Sequence, residues 1–157
     1  MSFSTFSGPI RSGTVREGTT RNTGLVVLAQ SYDTGDLTGT GVGNVDALAM
    51  YLPKGSQITD ITVDQVVAAT AGSMTVSVGS ASGGAQLMAA IASTAGGRFR
   101  GTTTAATQLA WQTSTSADTT VYVRVAVGTA TLTAGRAIIT VSYVQRNSDG
   151  AQNPVSA

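Results

Sequence analysis

The chain has 157 residues with no cysteine and no histidine, and its 11% of charged residues leave a formal net charge of +1. These absences exclude Ser-His-Asp and Cys-His nucleophiles, thiol redox chemistry, disulfides, and zinc or copper sites built from nitrogen and sulfur ligands. The length suits one domain with a sizeable core, whereas the charged share is about half of the typical value of about 25%. We therefore expect a folded protein whose surface is polar through hydroxyl groups, which suits burial in an assembly.

Residues 1–23 differ in composition from the rest of the chain. They are rich in Ser, Thr and Gly and carry the isolated apolar residues Phe3, Phe6, Ile10 and Val15. Neither a helical nor a strand period fits them, so they predict an extended N-terminal arm that anchors on its own domain or on a partner, with a frayed terminus as the alternative. They also lack a signal-peptide pattern, and no stretch of the chain predicts a membrane span.

Short strands separated by turn residues are predicted from residue 24 onward. Residues 24–32 are rich in β-formers and precede a turn cluster at residues 33–36. A glycine-rich loop at residues 39–44 then leads to a strand over residues 47–52, which a Pro-Lys-Gly turn ends.

Alternating apolar residues predict two strands in the next part of the chain. Residues 58–67 alternate, with Ile61 and Val63 on the apolar face. Residues 71–73 turn the chain into a second alternating strand over residues 74–78, and the pair is interpreted as a hairpin.

The middle of the chain has mixed patterns, and its end has clear ones. Residues 84–93 fit a helical turn and an irregular strand equally well, and residues 108–112, which include Trp111, predict another short strand. Residues 120–127 and 137–145 alternate most clearly and are joined by residues 128–135.

About eight strands without a helix of standard length predict an all-β fold, an antiparallel β-sandwich of jelly-roll type. The predicted organisation is an arm over residues 1–23, a sandwich domain over residues 24–146 and a C-terminal tail over residues 147–157.

The residues offer little for catalysis. A hydroxyl nucleophile needs a base, and the only lysine, Lys54, lies in a predicted turn. The only glutamate, Glu17, lies in the arm, while Asp60 and Asp64 share the polar face of a strand, where solvation is the ordinary explanation. We therefore expect no enzymatic activity, no catalytic residue, no cofactor and no small-molecule substrate.

Metal and nucleic-acid binding receive weak support. The oxygen-bearing residues between Asp33 and Asp46 do not have the spacing of a calcium hand, so weak calcium binding remains an open alternative and no metal site is predicted. The glycines at residues 39–43 are not followed by the helix that a dinucleotide loop requires. Arg98-Phe99-Arg100 interleaves cations with an aromatic ring, but the nearly neutral chain argues against nucleic acid and favours salt bridges to a protein partner.

Three stretches of the sequence together form a recognisable pattern. They are Phe6-Ser7-Gly8-Pro9-Ile10-Arg11-Ser12, then Tyr51-Leu52-Pro53-Lys54-Gly55-Ser56-Gln57-Ile58-Thr59-Asp60-Ile61-Thr62-Val63, and finally Leu132-Thr133-Ala134-Gly135 with Val141-Ser142-Tyr143-Val144. With the Val78-Gly79 strand end, they resemble the head decoration, or cement, proteins of tailed bacteriophages. The resemblance implies a jelly-roll or β-sandwich body, often a homotrimer, which is made in the host cytoplasm and binds the outer capsid surface of the virion across neighbouring major capsid protein subunits.

The resemblance also implies that the arm binds the capsid or a sister subunit. The candidate contact residues are Phe3, Phe6, Pro9, Ile10, Arg11, Arg16 and Arg21. Two alternatives remain: a receptor- or carbohydrate-binding head of a trimeric phage fibre, and a tail-tube or head-tail connector subunit. For a sugar site Trp111 is the candidate platform, although core packing is the favoured role of that ring.

Overall fold

The computed structural model describes residues 27–101, 105–112 and 117–145 of the protein. These residues form eight β-strands and one short helix. The strands are β1 (Val27–Asp33), β2 (Gly43–Leu52), β3 (Ser56–Thr70), β4 (Ser73–Gly79), β5 (Met88–Ala92), β6 (Gly97–Arg100), β7 (Thr119–Gly128) and β8 (Ala134–Gln145), and the helix α1 is Ala105–Ala110. The predicted arm and the predicted C-terminal tail lie outside the described residues.

The strands form two four-stranded antiparallel sheets. The β1 sheet has the order β1-β8-β3-β6, and the β2 sheet has the order β2-β7-β4-β5. The pairing is nested, since β1 pairs with β8, β2 with β7, β3 with β6 and β4 with β5. This nesting is that of a long folded-over hairpin rolled into two sheets, which is the jelly roll. The predicted all-β sandwich is confirmed.

The core lies between the sheets and consists mainly of the predicted inward faces. The following residues of β4, β7 and β8 are buried: Met74, Val76, Val78, Val121, Val123, Val125, Val127, Ile139, Val141 and Tyr143. Because successive side chains of a strand point to opposite faces, each alternating apolar stretch needs only one covered face, and the facing sheet covers it.

The predicted turn after β2 is also confirmed. Ser56 N donates a hydrogen bond of 3.1 Å to Pro53 O, and Gly55 has a φ of 74°. This left-handed conformation favours glycine, and Pro53 presets the turn by its restricted φ.

The predicted hairpin over residues 58–78 is wrong. β3 lies in the β1 sheet and β4 in the β2 sheet, so Ala71 and Gly72 form a corner between the sheets. The corner packs beside the turn between β7 and β8: Ser73 N donates to Thr129 Oγ1 at 3.2 Å, and Thr133 N donates to Thr70 O at 3.1 Å. Both crossings between the sheets therefore lie side by side and satisfy each other's backbone groups.

The predicted strand over residues 108–112 is also wrong, because α1 runs through residue 110. Alanine, the strongest helix former, occupies three of its six positions. Trp111 follows the helix and packs against the core, where its Nε1 donates to Leu87 O at 2.8 Å. Core packing of this ring is thus observed.

The ambiguous middle of the chain forms two strands. Residues 88–92 form β5, which decides between the two interpretations of residues 84–93, and residues 97–100 form β6, which the sequence did not predict. Of the described residues, only α1 is helical, and its six residues are far fewer than the roughly 20 that a membrane-spanning helix needs.

Candidate interaction surface

The outer edges of β5 and β6 are short, and charges protect the edge formed by β6. β5 has 5 residues and β6 has 4. Arg98 Nε lies 2.6 Å from Asp64 Oδ1, and Arg100 Nη2 lies 3.1 Å from Asp60 Oδ2, so both arginines of β6 pair with carboxylates of β3. Both arginines of β6 therefore have ion-pair partners in the same chain, and Asp60 and Asp64 are not merely solvated carboxylates. Salt bridges to a protein partner stay a prediction. Short, charged edges resist pairing with other chains.

The opposite side of the sandwich is long and apolar. β1 has 7 residues and β2 has 10, and among the described strands each pairs along one edge only. Five large apolar residues on these two strands are 41–58% exposed: Val27, Leu28, Val45, Leu48 and Tyr51. We call this surface the β1–β2 side.

A side-chain amide links the two strands of the β1–β2 side. Gln30 of β1 donates through Nε2 to Tyr51 O of β2 at 2.9 Å, and the same nitrogen lies 3.1 Å from the Tyr143 hydroxyl. The edges of both sheets are thus held next to each other, and their exposed apolar residues belong to one surface.

Two residues of the β1–β2 side point toward the interior of the sandwich. Leu28 lies opposite Tyr143 and Val45 lies opposite Val125. Directly opposite residues of an antiparallel pair share a face, and both Tyr143 and Val125 are buried. Since Leu28 and Val45 are nevertheless 41% and 45% exposed, the described strands leave the interior open along this side.

A β-bulge in β2 creates the outer part of this surface. Leu48 pairs with Tyr122 and Met50 with Val121, so Ala49 is the extra residue. Strict alternation would place Leu48 and Met50 on the same face, but the bulge turns Met50 into the core and leaves Leu48 outside. Sequence reasoning missed Leu48 for this reason, because a bulge has no signal in the apolar pattern.

The contact residues predicted in the arm (Phe3, Phe6, Pro9, Ile10, Arg11, Arg16 and Arg21) lie outside the described residues. Their role in binding stays a prediction.

The aspartates between residues 33 and 46 have partners in the chain. Arg136 Nη2 lies 2.5 Å from Asp33 Oδ2, Arg124 Nε lies 2.6 Å from Asp46 Oδ1, and Asp36 accepts a hydrogen bond of 2.9 Å from Thr38 N. Over residues 27–101, 105–112 and 117–145, no group of three or more Asp, Glu, His or Cys side chains is arranged to hold a metal ion. These carboxylates thus stabilise turns and strand pairs.

Protonation of Asp33 at low pH is expected to lower the free energy of unfolding. The hydrogen bond from Arg136, followed by that from Gly35 N, lowers the pKa of Asp33 to about 2. A carboxylate with a lowered pKa in the folded state stabilises the fold above its unfolded pKa, and the contribution is lost as the pH falls toward 2. Urea unfolding of the wild type between pH 4.5 and 2 should therefore show a steeper loss of stability than Asp33→Asn or Arg136→Gln. Equal slopes in all three proteins would contradict this assignment.

Comparison with known proteins finds structural likeness only. No family model and no curated protein matches the sequence. A chain in the solved capsid of Ralstonia phage GP4 superposes with a TM-score of 0.56 at 19% identity, covering 87% of this chain and 92% of that one. The two chains share a fold.

Two further solved capsids contain chains that resemble this protein. One is the acid-stable capsid of Helicobacter pylori bacteriophage KHP30, with a TM-score of 0.49 at 15% identity, covering 76% of this chain and 92% of that one. The other is the capsid of cyanophage Pam1, with a TM-score of 0.46 at 20% identity, covering 85% of this chain and 94% of that one.

The described surface is suited to adhesion by shape and apolar contact. Its arginines are paired with aspartates, and hydroxyl groups form hydrogen bonds with each other, as Ser31 does with Thr140 between β1 and β8 at 2.8 Å and Thr70 does with Thr133 at 2.8 Å. Five of the nine exposed large apolar side chains among the described residues lie on the β1–β2 side, which makes this side the candidate interaction surface.

Proposed function

We propose that this protein is a non-enzymatic structural protein of a bacteriophage virion. It decorates the outer surface of the capsid as a homotrimer and stabilises contacts between major capsid protein subunits. The observation that carries the proposal is the nested eight-strand jelly roll, which the chain shares over most of its length with a chain in the GP4 capsid. The resemblance of the sequence to decoration proteins supports the finer role.

The physical basis of the proposed role is preferential binding to the assembled state. A protein that binds across two subunits favours the assembled capsid over separated subunits by mass action. Because many copies attach to one capsid, modest contacts by each copy add up to strong overall attachment. A lightly charged body with few reactive groups can provide such contacts. The formal net charge of +1 keeps electrostatic repulsion between neighbouring copies small.

The arm is the proposed capsid contact. Its phenylalanines and Ile10 offer apolar anchors, and its arginines offer forked donors for carboxylates on a capsid subunit or a sister subunit. The major capsid protein is the partner, and neither nucleic acid nor a membrane is required.

The first test compares two truncations. Deleting residues 1–23 should leave the far-UV circular dichroism of the β-body unchanged but raise the dissociation constant for undecorated capsids of its own phage by at least about tenfold, which corresponds to about 1.4 kcal/mol. Deleting the predicted tail over residues 147–157 is the matched control and should leave occupancy unchanged. Full occupancy after deletion of the arm would show that the arm is not needed for binding to the capsid.

The second test locates the protein in the virion. Electron microscopy of virions carrying a labelled copy should show label distributed over the head. Label on the tail tube, at the head-tail junction or at fibre tips would overturn the decoration role in favour of the alternatives. Two observations favour the decoration role over the fibre-head alternative: Trp111 Nε1 donates a hydrogen bond to Leu87 O, and the ring packs against the core.

A further inference from the structure

The two sides of the sandwich are protected to different degrees. The β5–β6 edges are short, and the arginines of β6 are ion-paired, whereas the β1–β2 side combines two long edges, to which no other described strand is paired, with five exposed apolar residues. Long, apolar, unpaired strand edges are templates for aggregation, and natural proteins cover, bulge or charge them. The bulge at Ala49 interrupts β2 but exposes Leu48 rather than hiding it. A cover for the β1–β2 side is therefore expected.

We propose that residues 1–26 of the same chain cover the β1–β2 side in the free protein. The chain enters β1 at Val27, which is itself an exposed residue of that side. The segment thus starts on the surface that it covers. At about 3.3 Å per extended residue, 26 residues reach up to about 85 Å, whereas the ten residues of β2 extend about 33 Å.

The composition of this segment matches the surface. Its large apolar residues are Met1, Phe3, Phe6, Ile10, Val15, Leu25 and Val26. β8 also ends next to the start of β1, because Val144 pairs with Val27, so the C-terminal residues 146–157 are the other candidate segment. Apart from alanine, however, Val155 is their only apolar residue beyond the prolyl ring of Pro154, so they offer little to bury against Leu28, Val45 and Leu48. The N-terminal segment is the better cover.

This cover would keep free copies from associating through their strand edges. It does not depend on the proposed function, since it concerns the isolated chain. If the proposed function holds, the same segment leaves the β1–β2 side and binds the capsid during assembly. Copies in solution stay apart until then.

The first experiment maps exposure by hydroxyl-radical labelling of the full-length protein. Compared with the wild type, the triple variant Phe3→Ser, Phe6→Ser and Ile10→Ser should label at least about threefold faster at Leu48 and Tyr51. Leu109, which is 73% exposed on α1, is an internal control and should not change. Val155→Ser is the matched control in the C-terminal segment and should leave all rates unchanged. Unchanged labelling of Leu48 and Tyr51 in the triple variant would overturn the proposal.

The second experiment decides between cover by the same chain and cover by a second copy. Because the chain has no cysteine, engineered pairs are free of background. In dilute solution under mild oxidation, Phe6→Cys with Leu48→Cys should form an intrachain disulfide at least about tenfold faster than Phe6→Cys with Ala90→Cys, whose second cysteine lies at an exposed position of β5. Equal rates for the two pairs, or mainly interchain disulfides, would overturn cover by the same chain. Neither experiment uses capsids, so failure here is distinguishable from failure of the decoration role.

Discussion

Leu52→Ala is expected to lower the free energy of unfolding by about 2–5 kcal/mol. Leu52 ends β2, is 0% exposed and belongs to the central apolar cluster between the sheets. Its truncation loses the transfer free energy of the removed methyl groups and leaves a cavity, because the packed interior between the two sheets relaxes only partly. Urea unfolding followed by tryptophan fluorescence measures the change.

The matched control for this prediction is Leu109→Ala on α1. Leu109 is 73% exposed, and alanine is the stronger helix former, so the same chemical change should alter the free energy of unfolding by less than about 0.5 kcal/mol. Comparable losses at the two positions would mean that the core does not lie where the two sheets enclose Leu52.

Gly72→Ala is expected to cost about 1–3 kcal/mol, the usual range for forcing extra atoms into a packed site. A Cβ on Gly72 would lie 2.4 Å from Ala130 O and 3.1 Å from Gly128 O. Both atoms are backbone and belong to the neighbouring corner between β7 and β8, so a side-chain rotation cannot relieve the clash. The readout is again the midpoint and slope of urea unfolding.

The residue next to Gly72 provides a control of opposite sign. Ala71 has a φ of 70°, which is the left-handed region where glycine is favoured. Ala71→Gly should therefore be neutral or stabilise the protein by up to about 1 kcal/mol. If Ala71→Gly destabilised the protein as much as Gly72→Ala, the corner would be sensitive to any change, and the close approach to Ala130 would not be the cause.

Much of the β-body follows from local sequence pattern. The alternating stretches at residues 74–78, 120–127 and 137–145 fall within β4, β7 and β8, and their predicted inward residues are buried. The reason is that a strand of a sandwich buries one face against the other sheet, and this face contains every second residue of the strand. The turn at Pro53 and Gly55 was also predictable from the sequence, because the restricted φ of proline and the tolerance of glycine for positive φ are properties of single residues.

Which strands pair with each other could not be predicted from local sequence pattern. A turn between two strands predicts a hairpin, yet the chain at Ala71 and Gly72 crosses to the other sheet. The choice depends on β8 and β7, which pair with β3 and β4 from more than 40 residues further along the chain. Likewise, the strand β6 is recognisable only beside β3, where Asp60 and Asp64 give its arginines their partners.

Of the two candidate contact regions, the arm was predicted from the sequence and the β1–β2 side was not. An arm over residues 1–23 was predicted from composition, and its part in binding remains a prediction. The β1–β2 side was not predicted: Leu28 and Val45 have the inward positions of core residues, and Leu48 is placed outside by a bulge. Their exposure depends on which strands become the edges of the two sheets.

Composition and period alone thus determined that this chain is built of alternating strands, has 11% charged residues, and contains neither histidine nor cysteine for a catalytic or metal centre. Those properties depend on single residues and their near neighbours. The nested order of the strands, the ion-paired β6 edge and the open apolar β1–β2 side were decided only by the tertiary structure. Each depends on contacts between residues far apart in the chain, which the backbone forms only when both sheets are complete.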